Sequence, residues 1–344
     1  MISNEKKIEL FFGTGGVGKT TLAASRAFFQ ASLGHKTLII TIDPSLRLKQ
    51  LLGLENIENG DTAVVDNTDG HLHALMLCPS KTLARSLKNQ TQEDVDKNPI
   101  FNSLSRQHGG LNEIMAVIEL QYQIENGGFD RIIVDTPPGR HFIDFLKATS
   151  KINSFFDKNF VDIFKYLDKP IEKAEKISKA IMNKLVSTGI KKLLSYLENV
   201  TGAHFVNLFI DTVLILYQNR EHFIESLNFQ EVLKDSATTN LFLVTAVDHN
   251  KIVEAIEMRK KVDSLSNENQ ILLINRSLSH YLEDWEITEE NKSMAGIKAS
   301  FKRREAPILD SAEKNFHDYL CFPEIIGGNL NEQIEELKTI WNKK

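Results

Sequence analysis

Short apolar segments alternate with segments of helical periodicity along most of this chain. The apolar segments are rich in Val, Ile, Leu and Phe, which favours buried strands, and they cover Ile8–Phe12, Lys36–Ile42, Leu72–Leu77, Phe129–Asp135, Asn240–Val247, Gln270–Arg276 and Tyr319–Phe322. The helical segments cover Thr21–Leu33, Thr82–Asn89, Leu111–Asn126, Lys251–Leu265, Ile308–His317 and Leu330–Trp341. This alternation predicts an α/β fold with a doubly wound, mainly parallel sheet.

The alternation stops between about Lys151 and Asp235, where the pattern is helical throughout. Within this segment, Ala203–Glu225 is predicted to form the most apolar helix of the chain. We therefore predict three segments: the first part of an α/β core over residues 1–150, an inserted α-helical subdomain over 151–236, and the second part of the core over 237–344. Lysines that recur between positions 165 and 184 indicate a solvated helix face, with an anionic-surface site as the alternative. The polar stretches Thr91–Asn98 and Glu283–Lys298 are expected to form loops, the second with weak helix.

Composition narrows the class of protein. The formal net charge of −5 gives no support to nucleic-acid binding, and 42% apolar with 25% charged residues is typical of a globular protein. The two cysteines, Cys78 and Cys321, stand far apart, which is typical of a reducing compartment and excludes a CxxC metal site. The chain has no apolar signal segment and no apolar run of the roughly 20 residues that a membrane span needs. We expect a cytoplasmic protein, with peripheral membrane association as an option.

One glycine-rich stretch carries the strongest chemical signal. Its pattern, G-x-x-x-x-G-K-T, lies between a predicted strand and a predicted helix. Such a loop presents backbone N–H groups and a helix N-terminus to phosphates, so the expected cofactors are ATP and Mg²⁺. Lys19 would reach the β- and γ-phosphates, and the Thr20 hydroxyl would bind Mg²⁺. The expected nucleotide-binding residues here are Gly13, Thr14, Gly15, Gly16, Val17, Gly18, Lys19, Thr20 and Thr21. A glycine-rich turn without ligand is the alternative interpretation.

Polar residues at the ends of other strands are expected at the same sheet edge. Asp135 would hold Mg²⁺ together with Thr20, directly or through water. Asp43 would position or activate the attacking water, or would serve as a turn residue before Pro44. The Asn275 amide could hydrogen-bond an adenine edge, or merely complete a strand end. The stiff loop after Asp135 is suited to sense a γ-phosphate.

Taken together, the motifs at residues 13–20, 41–45 and 135–141 resemble those of the ArsA-type ATPases, a family that includes arsenite-pump ATPases and ATPases that target tail-anchored membrane proteins. Residues 41–50 are similar to the bacterial branch labelled anion-transporting ATPase. The resemblance implies a P-loop NTPase fold with a deviant Walker A loop of the SIMIBI class and a nucleotide-sandwich dimer. It also implies that Asp43 is the catalytic aspartate, Asp135 the metal-side aspartate, Asn275 the adenine-reading residue and Pro323 a residue near the base.

Two departures from the family pattern affect the expected function. The family's signature lysine, which reaches the partner's phosphates across the dimer interface, falls on Thr14, so a homodimer should turn over slowly unless Arg47 or Arg140 substitutes. The missing CxxC excludes the zinc-clamped dimer of the targeting ATPases and the cysteine-based metalloid site of the pumps.

Three functions follow as hypotheses. The first is a dimeric ATPase that couples nucleotide state to movement of the helical subdomain in protein targeting, chaperoning or membrane-associated transport, with a protein client or membrane partner. The second is a weakly active regulatory subunit that completes a heterodimer with a lysine-bearing paralogue. A partition-type ATPase is the third, and the long helical insert argues against it.

Overall fold

The protein is described here from a computed structural model, which covers residues 6–42, 46–87, 90–104, 112–146, 199, 202–233, 235, 237–263, 270–289, 292–325, 327 and 330–342. Asp43 and the lysines between positions 165 and 184 lie outside the described residues, as does the whole first half of the expected insert. Within the described ranges, every helix falls short, in length or in apolar character, of what crossing a membrane requires.

The described strands are β1 (Ile8–Gly13), β2 (Thr37–Thr41), β3 (Thr62–Val64), β4 (Leu72–Met76), β5 (Arg131–Asp135), β6 (Thr239–Ala246), β7 (Ile271–Ser277) and β8 (Tyr319–Pro323). The helices are α1 (Lys19–Ser32), α2 (Leu46–Leu52), α3 (Pro79–Ser86), α4 (Gln92–Lys97), α5 (Pro99–Leu104), α6 (Asn112–Asn126), α7 (Arg140–Leu146), α8 (Ala203–Gln218), α9 (Arg220–Leu233), α10 (His249–Asp263), α11 (Ser279–Asp284), α12 (Ala295–Asn315) and α13 (Leu330–Trp341). A short 3₁₀ turn, Lys292–Met294, precedes α12.

All eight strands belong to one sheet in the order β3-β4-β2-β5-β1-β6-β7-β8. Every neighbouring pair is parallel except β3 with β4. The prediction of a mainly parallel α/β sheet is therefore confirmed. β1 lies between β5 and β6, so the loop that follows it emerges at the middle of the edge formed by the carboxyl ends of the parallel strands.

The chain divides into two compact units. The first comprises residues 1–77, 119–146 and 229–344 and contains the whole sheet, and the second comprises residues 78–118 and 147–228. In the second unit, the Asn98 side chain donates to the Thr212 hydroxyl at 3.0 Å and so ties α8 to the start of α5. This helical unit, named for its described elements, which are all helices, takes in residues 78–118 as well as most of the predicted insert.

Three local predictions are wrong, each for an identifiable reason. Thr91–Asn98 forms a helix rather than a loop, because Thr91 and Asp94 form a reciprocal capping box. The apolar stretch from Ala203 is two helices, since α8 ends at a cap on Asn219. Helix α12 begins at Ala295 instead of near Ile308 and runs through Pro307, which the sequence pattern would place at a helix start.

A buried ion pair joins the two elements that flank the glycine-rich loop. The Arg26 guanidinium on α1 donates to both carboxylate oxygens of Glu9 on β1, at 2.8 and 2.7 Å, and both residues are fully buried. Gln30 donates to the same carboxylate at 3.1 Å. The Trp341 ring of α13 lies 4.9 Å from the Arg26 guanidinium carbon, and its indole N–H donates to the Ser25 hydroxyl at 3.0 Å. Helix α1 is thus held between β1 and α13.

Candidate functional site

The glycine-rich loop, residues 13–20, joins β1 to α1. One side of this loop packs closely against neighbouring residues, and the other side, its open front, does not. A Cβ on Gly13 would lie 2.3 Å from the Val244 carbonyl oxygen, and one on Gly18 would lie 2.2 Å from the Asn275 amide nitrogen. Gly18 also has a φ of +91°, a conformation that favours glycine. By contrast, a Cβ on Gly15 or Gly16 would have no described neighbour within 4 Å. The front of the loop therefore has the space that a phosphate cradle needs.

Lys19 folds back over this loop. Its ammonium donates to the Thr14 carbonyl oxygen at 2.9 Å, and the residue is only 8% exposed. The Thr14 hydroxyl oxygen is itself buried, with no hydrogen-bond partner among the described residues. The loop thus holds one buried cation against its own backbone at Thr14.

A carboxylate and two hydroxyls meet beside the start of α1. The Thr20 hydroxyl donates to Asp135 Oδ2 at 2.8 Å, and the Thr41 hydroxyl donates to the same oxygen at 3.3 Å. Asp135 is the last residue of β5 and pairs in register with Thr41 of β2 and with Phe11 of β1. The carboxylate is 4% exposed. Oxygen donors of this kind fit Mg²⁺, which is usually held by one or two protein oxygens together with substrate phosphates.

The loop after Asp135 is tied to the glycine-rich loop by backbone hydrogen bonds. Thr136 donates from its N–H and its hydroxyl to the Phe11 carbonyl oxygen, at 3.1 and 2.8 Å. The Gly139 N–H donates to the Gly13 carbonyl oxygen at 3.0 Å. The bond between Gly139 and Gly13 joins the two loops directly, and the bonds of Thr136 fix the start of the second loop to β1.

On the other side of β1, Asn275 supports the loop from behind. It ends the regular pairing of β7 with β6, and its amide donates to the Val17 carbonyl oxygen at 2.9 Å. One of the two amide hydrogens is thus committed to the loop backbone, which leaves the second hydrogen and the carbonyl oxygen for other contacts. Pro323 lies buried at the end of β8, opposite Ser277.

The structure brings together most, but not all, of the candidate residues. The glycine-rich loop, Asp135 and Asn275 meet at one sheet edge, whereas Asp43 lies outside the described residues. Arg47 lies in α2, and Arg140 is the first residue of α7. Sequence reasoning missed Thr41 and Thr136, whose hydroxyls bond into the site. Their positions at the end of β2 and directly after β5, at the edge where site residues are expected, could have identified them.

Among the described residues, no group of three or more His, Cys, Asp or Glu side chains could hold a metal ion. Neither Cys78 nor Cys321 forms a disulfide bond. The arrangement around Asp135 therefore differs from a dedicated protein metal cage. It matches a site that binds a cation together with phosphate oxygens.

A glycine-rich loop that joins a central parallel strand to a helix, with a hydroxyl on the helix facing a strand-end carboxylate, defines a P-loop nucleotide-binding protein. Residues 6–322 match the family described as anion-transporting ATPase, of the ArsA type. The chain belongs to this family of ATPases.

Relatives with curated names agree with the family. The chain is 26% identical over 249 residues to ATPase GET3C of Arabidopsis thaliana, a match that covers 63% of this chain and 62% of the relative. It is 28% identical over 163 residues to ATPase GET3 of Malassezia globosa, covering 45% and 48%. A Chlorobaculum tepidum protein provisionally named an arsenical pump-driving ATPase is 22% identical over 309 residues, covering 86% and 68%. In the first two matches the chain spans less than two thirds of the relative's length.

Proposed function

We propose that this protein hydrolyses ATP with Mg²⁺, works as a dimer, and couples its nucleotide state to movement of the helical unit. The observation that supports the proposal best is the 2.8 Å hydrogen bond to Asp135 from Thr20, the last residue of the glycine-rich loop. A hydroxyl and a carboxylate in that position are suited to share a cation with phosphate oxygens. Membership in a family of ATPases agrees with this chemistry.

Each residue of the site has a role in this proposal. The loop amides and Lys19 neutralise phosphate charge, and Lys19 leaves the Thr14 carbonyl to do so. Thr20 and Asp135 hold the metal ion, and Asp43 orients the attacking water. Bound Mg²⁺ would supply further neutralisation of the charge on the transferred phosphoryl group. The proposed nucleotide-binding residues are Gly13, Thr14, Gly15, Gly16, Val17, Gly18, Lys19, Thr20 and Thr21, with Asn275 and Pro323 on the base side.

The loop from Thr136 to Gly139 is the proposed sensor of the nucleotide state. Its hydrogen bonds to Phe11 and Gly13 connect the phosphate cradle to α7, the last described element before the sequence enters the expected insert. Loss of the γ-phosphate would change the contacts of this loop and bias the position of α7.

The client is proposed only in general terms, as a protein or a membrane partner. The curated relatives carry the names of GET3 ATPases and of an arsenical pump-driving ATPase. For this chain, we propose a role in protein targeting, chaperoning or membrane-associated transport, carried out in the cytoplasm or at the membrane periphery. The sequence has only two cysteines, far apart, and so cannot form the cysteine-based sites of the better-known family members.

A second candidate function is favoured by one specific residue. Thr14 occupies the position of the family's signature lysine, and threonine cannot supply a positive charge to a partner's phosphates. The chain would then be a nucleotide-binding regulatory subunit that forms a heterodimer with a related, lysine-bearing ATPase. Its own turnover would be slow.

Steady-state ATP turnover with Mg²⁺ over a range of protein concentrations tests both candidates. The full chain is compared with Asp43→Asn, which keeps the size of the side chain, and with Lys19→Ala. Turnover that rises with protein concentration and disappears in Asp43→Asn supports a self-sufficient dimer. ATP binding that is lost in Lys19→Ala, with negligible turnover throughout, supports the regulatory subunit. If the wild-type chain binds no ATP, both candidates fail.

A further inference from the structure

The corner between β7 and α11, residues 275–279, is the most unusual stretch of backbone at the candidate site. Arg276 has a φ of +59°, a conformation that is rare for a residue with a long side chain. The pairing of β7 with β8 is irregular between Ile274 and Ser277, next to this residue. Strained residues and bulges of this kind occur preferentially at functional sites.

Several contacts maintain this strained corner. The Ser277 hydroxyl donates to the Glu305 carboxylate at 3.0 Å, and Glu305, which is 3% exposed, also accepts from the Leu278 N–H. The Ser277 carbonyl oxygen accepts from the Glu324 N–H at 2.9 Å, which joins the end of β8 to the same corner. A buried carboxylate and a strand end therefore hold the backbone around Arg276.

The position of the corner follows from the order of the strands. The carboxylate that faces Thr20 is on β5, on one side of β1, so the metal and the terminal phosphate belong on that side. A nucleotide that extends from the loop would then direct its base toward β6, β7 and β8. Asn275 contacts the loop from this second side through Val17, and Arg276 is the next residue. The Arg276 side chain is 52% exposed and lies 3.7 Å from the Glu324 carboxylate.

We infer that Arg276 is a base-binding residue whose guanidinium packs on the face of the nucleotide base, a role that rests on the proposed nucleotide-binding function. A planar guanidinium stacks on aromatic rings, and its interaction strengthens where the ring is shielded from water. Glu324 holds the side chain on the base side of the site before the ligand arrives. The left-handed backbone conformation at Arg276 directs the Arg276 side chain away from the pleat of β7. This placement explains why the backbone strain is retained.

The test compares two probes that differ only in the presence of a nucleoside. Binding of ADP and of inorganic pyrophosphate, each with Mg²⁺, is measured by isothermal titration calorimetry on the full chain. In Arg276→Gly we expect an affinity for ADP about tenfold lower and an unchanged affinity for pyrophosphate. Arg276→Lys keeps the charge but lacks the planar group, so its ADP affinity should resemble that of Arg276→Gly. Arg303→Ala, which removes an exposed arginine on α12, should bind both probes as the wild type does.

Glycine was chosen because it accepts a positive φ without strain, so Arg276→Gly should unfold at or above the wild-type midpoint temperature. An ADP affinity equal to that of the wild type in Arg276→Gly would overturn the inference. An equal loss for ADP and pyrophosphate would also overturn it, since that pattern indicates a general effect of charge. Absence of ADP binding to the wild-type chain would instead contradict the proposed function itself.

Discussion

Gly18 and Gly15 belong to the same loop but face different surroundings. Gly18 has a φ of +91° and approaches Asn275 closely, whereas Gly15 faces open space. We predict that Gly18→Ala lowers the free energy of unfolding by about 1–3 kcal/mol, because the new methyl group meets the amide and the backbone is strained. The matched change Gly15→Ala should stay within about 0.5 kcal/mol of the wild type. Urea denaturation measures both, and equal costs would show that the close approach to Asn275 has no energetic weight.

His73 should make stability depend on pH. Burial lowers the pKa of its imidazole below the ordinary 6.5, and the nearby Lys36 ammonium lowers it further. The unfolded chain therefore binds more protons at this site, so the contribution of neutral His73 is present above about pH 6.5 and is lost as the pH falls. We predict that the free energy of unfolding of His73→Gln falls less on acidification than that of the wild type. The comparison requires denaturation curves from about pH 5 to 8. If the free energies of unfolding of the two proteins fall in parallel as the pH is lowered, His73 is not a source of the pH dependence.

The ion pair between Glu9 and Arg26 joins β1 to α1, and replacing only one of its two residues should lower the free energy of unfolding strongly. Arg26→Met leaves a fully buried carboxylate without its cation, and we predict a loss of about 3–5 kcal/mol. The double variant Glu9→Leu/Arg26→Met should lose clearly less than the sum of the single variants, since no buried charge remains. Lys97→Ala, which breaks an exposed pair with Glu93, provides the control and should cost at most about 0.5 kcal/mol. Chemical denaturation of all four variants gives the coupling energy, and strict additivity would contradict the prediction.

Much of the sheet could be predicted because its parallel strands are short, apolar and bounded by turn residues. Strand β3 could not, since its three residues are largely exposed and depend on pairing with β4. Helix α4 depends on a cap between Thr91 and Asp94 in a stretch that is polar apart from Val95, so the hydrophobic pattern does not reveal it. Helix α12 continues through Pro307 because packing overrides the local preference.

In the candidate site too, features set by neighbouring residues could be predicted, whereas features set by contacts between distant parts of the chain could not. The glycine-rich loop is local in sequence and was identified from its pattern. Its support by Asn275 joins residues 258 positions apart and follows only from the order of β1, β6 and β7. The left-handed conformation of Arg276 has no sequence signal at all, because arginine rarely adopts it.

At the scale of the whole molecule, ligand binding and assembly should both appear in stability measurements. With Mg²⁺ and ATP at about 100 times the dissociation constant, the free energy of unfolding should rise by about 2.7 kcal/mol, because only the folded loop binds the nucleotide. The proposed sandwich dimer adds a dependence of the midpoint temperature on protein concentration, seen with ATP and absent without it. Lys19→Ala should show neither effect. If ATP stabilises the protein but the midpoint temperature does not depend on protein concentration, the result contradicts the dimer and still supports nucleotide binding.

The burial of Trp341 against α1 has a practical consequence. The chain contains only two tryptophans, and Trp341 lies 4.9 Å from the Arg26 guanidinium on the helix that begins at the glycine-rich loop. Its indole N–H is bonded to Ser25 of the same helix. Trp285→Phe would leave Trp341 as the single intrinsic fluorophore, placed where a shift of α1 alters the field of the neighbouring cation. The emission of the unlabelled protein would then report the proposed nucleotide cycle in real time.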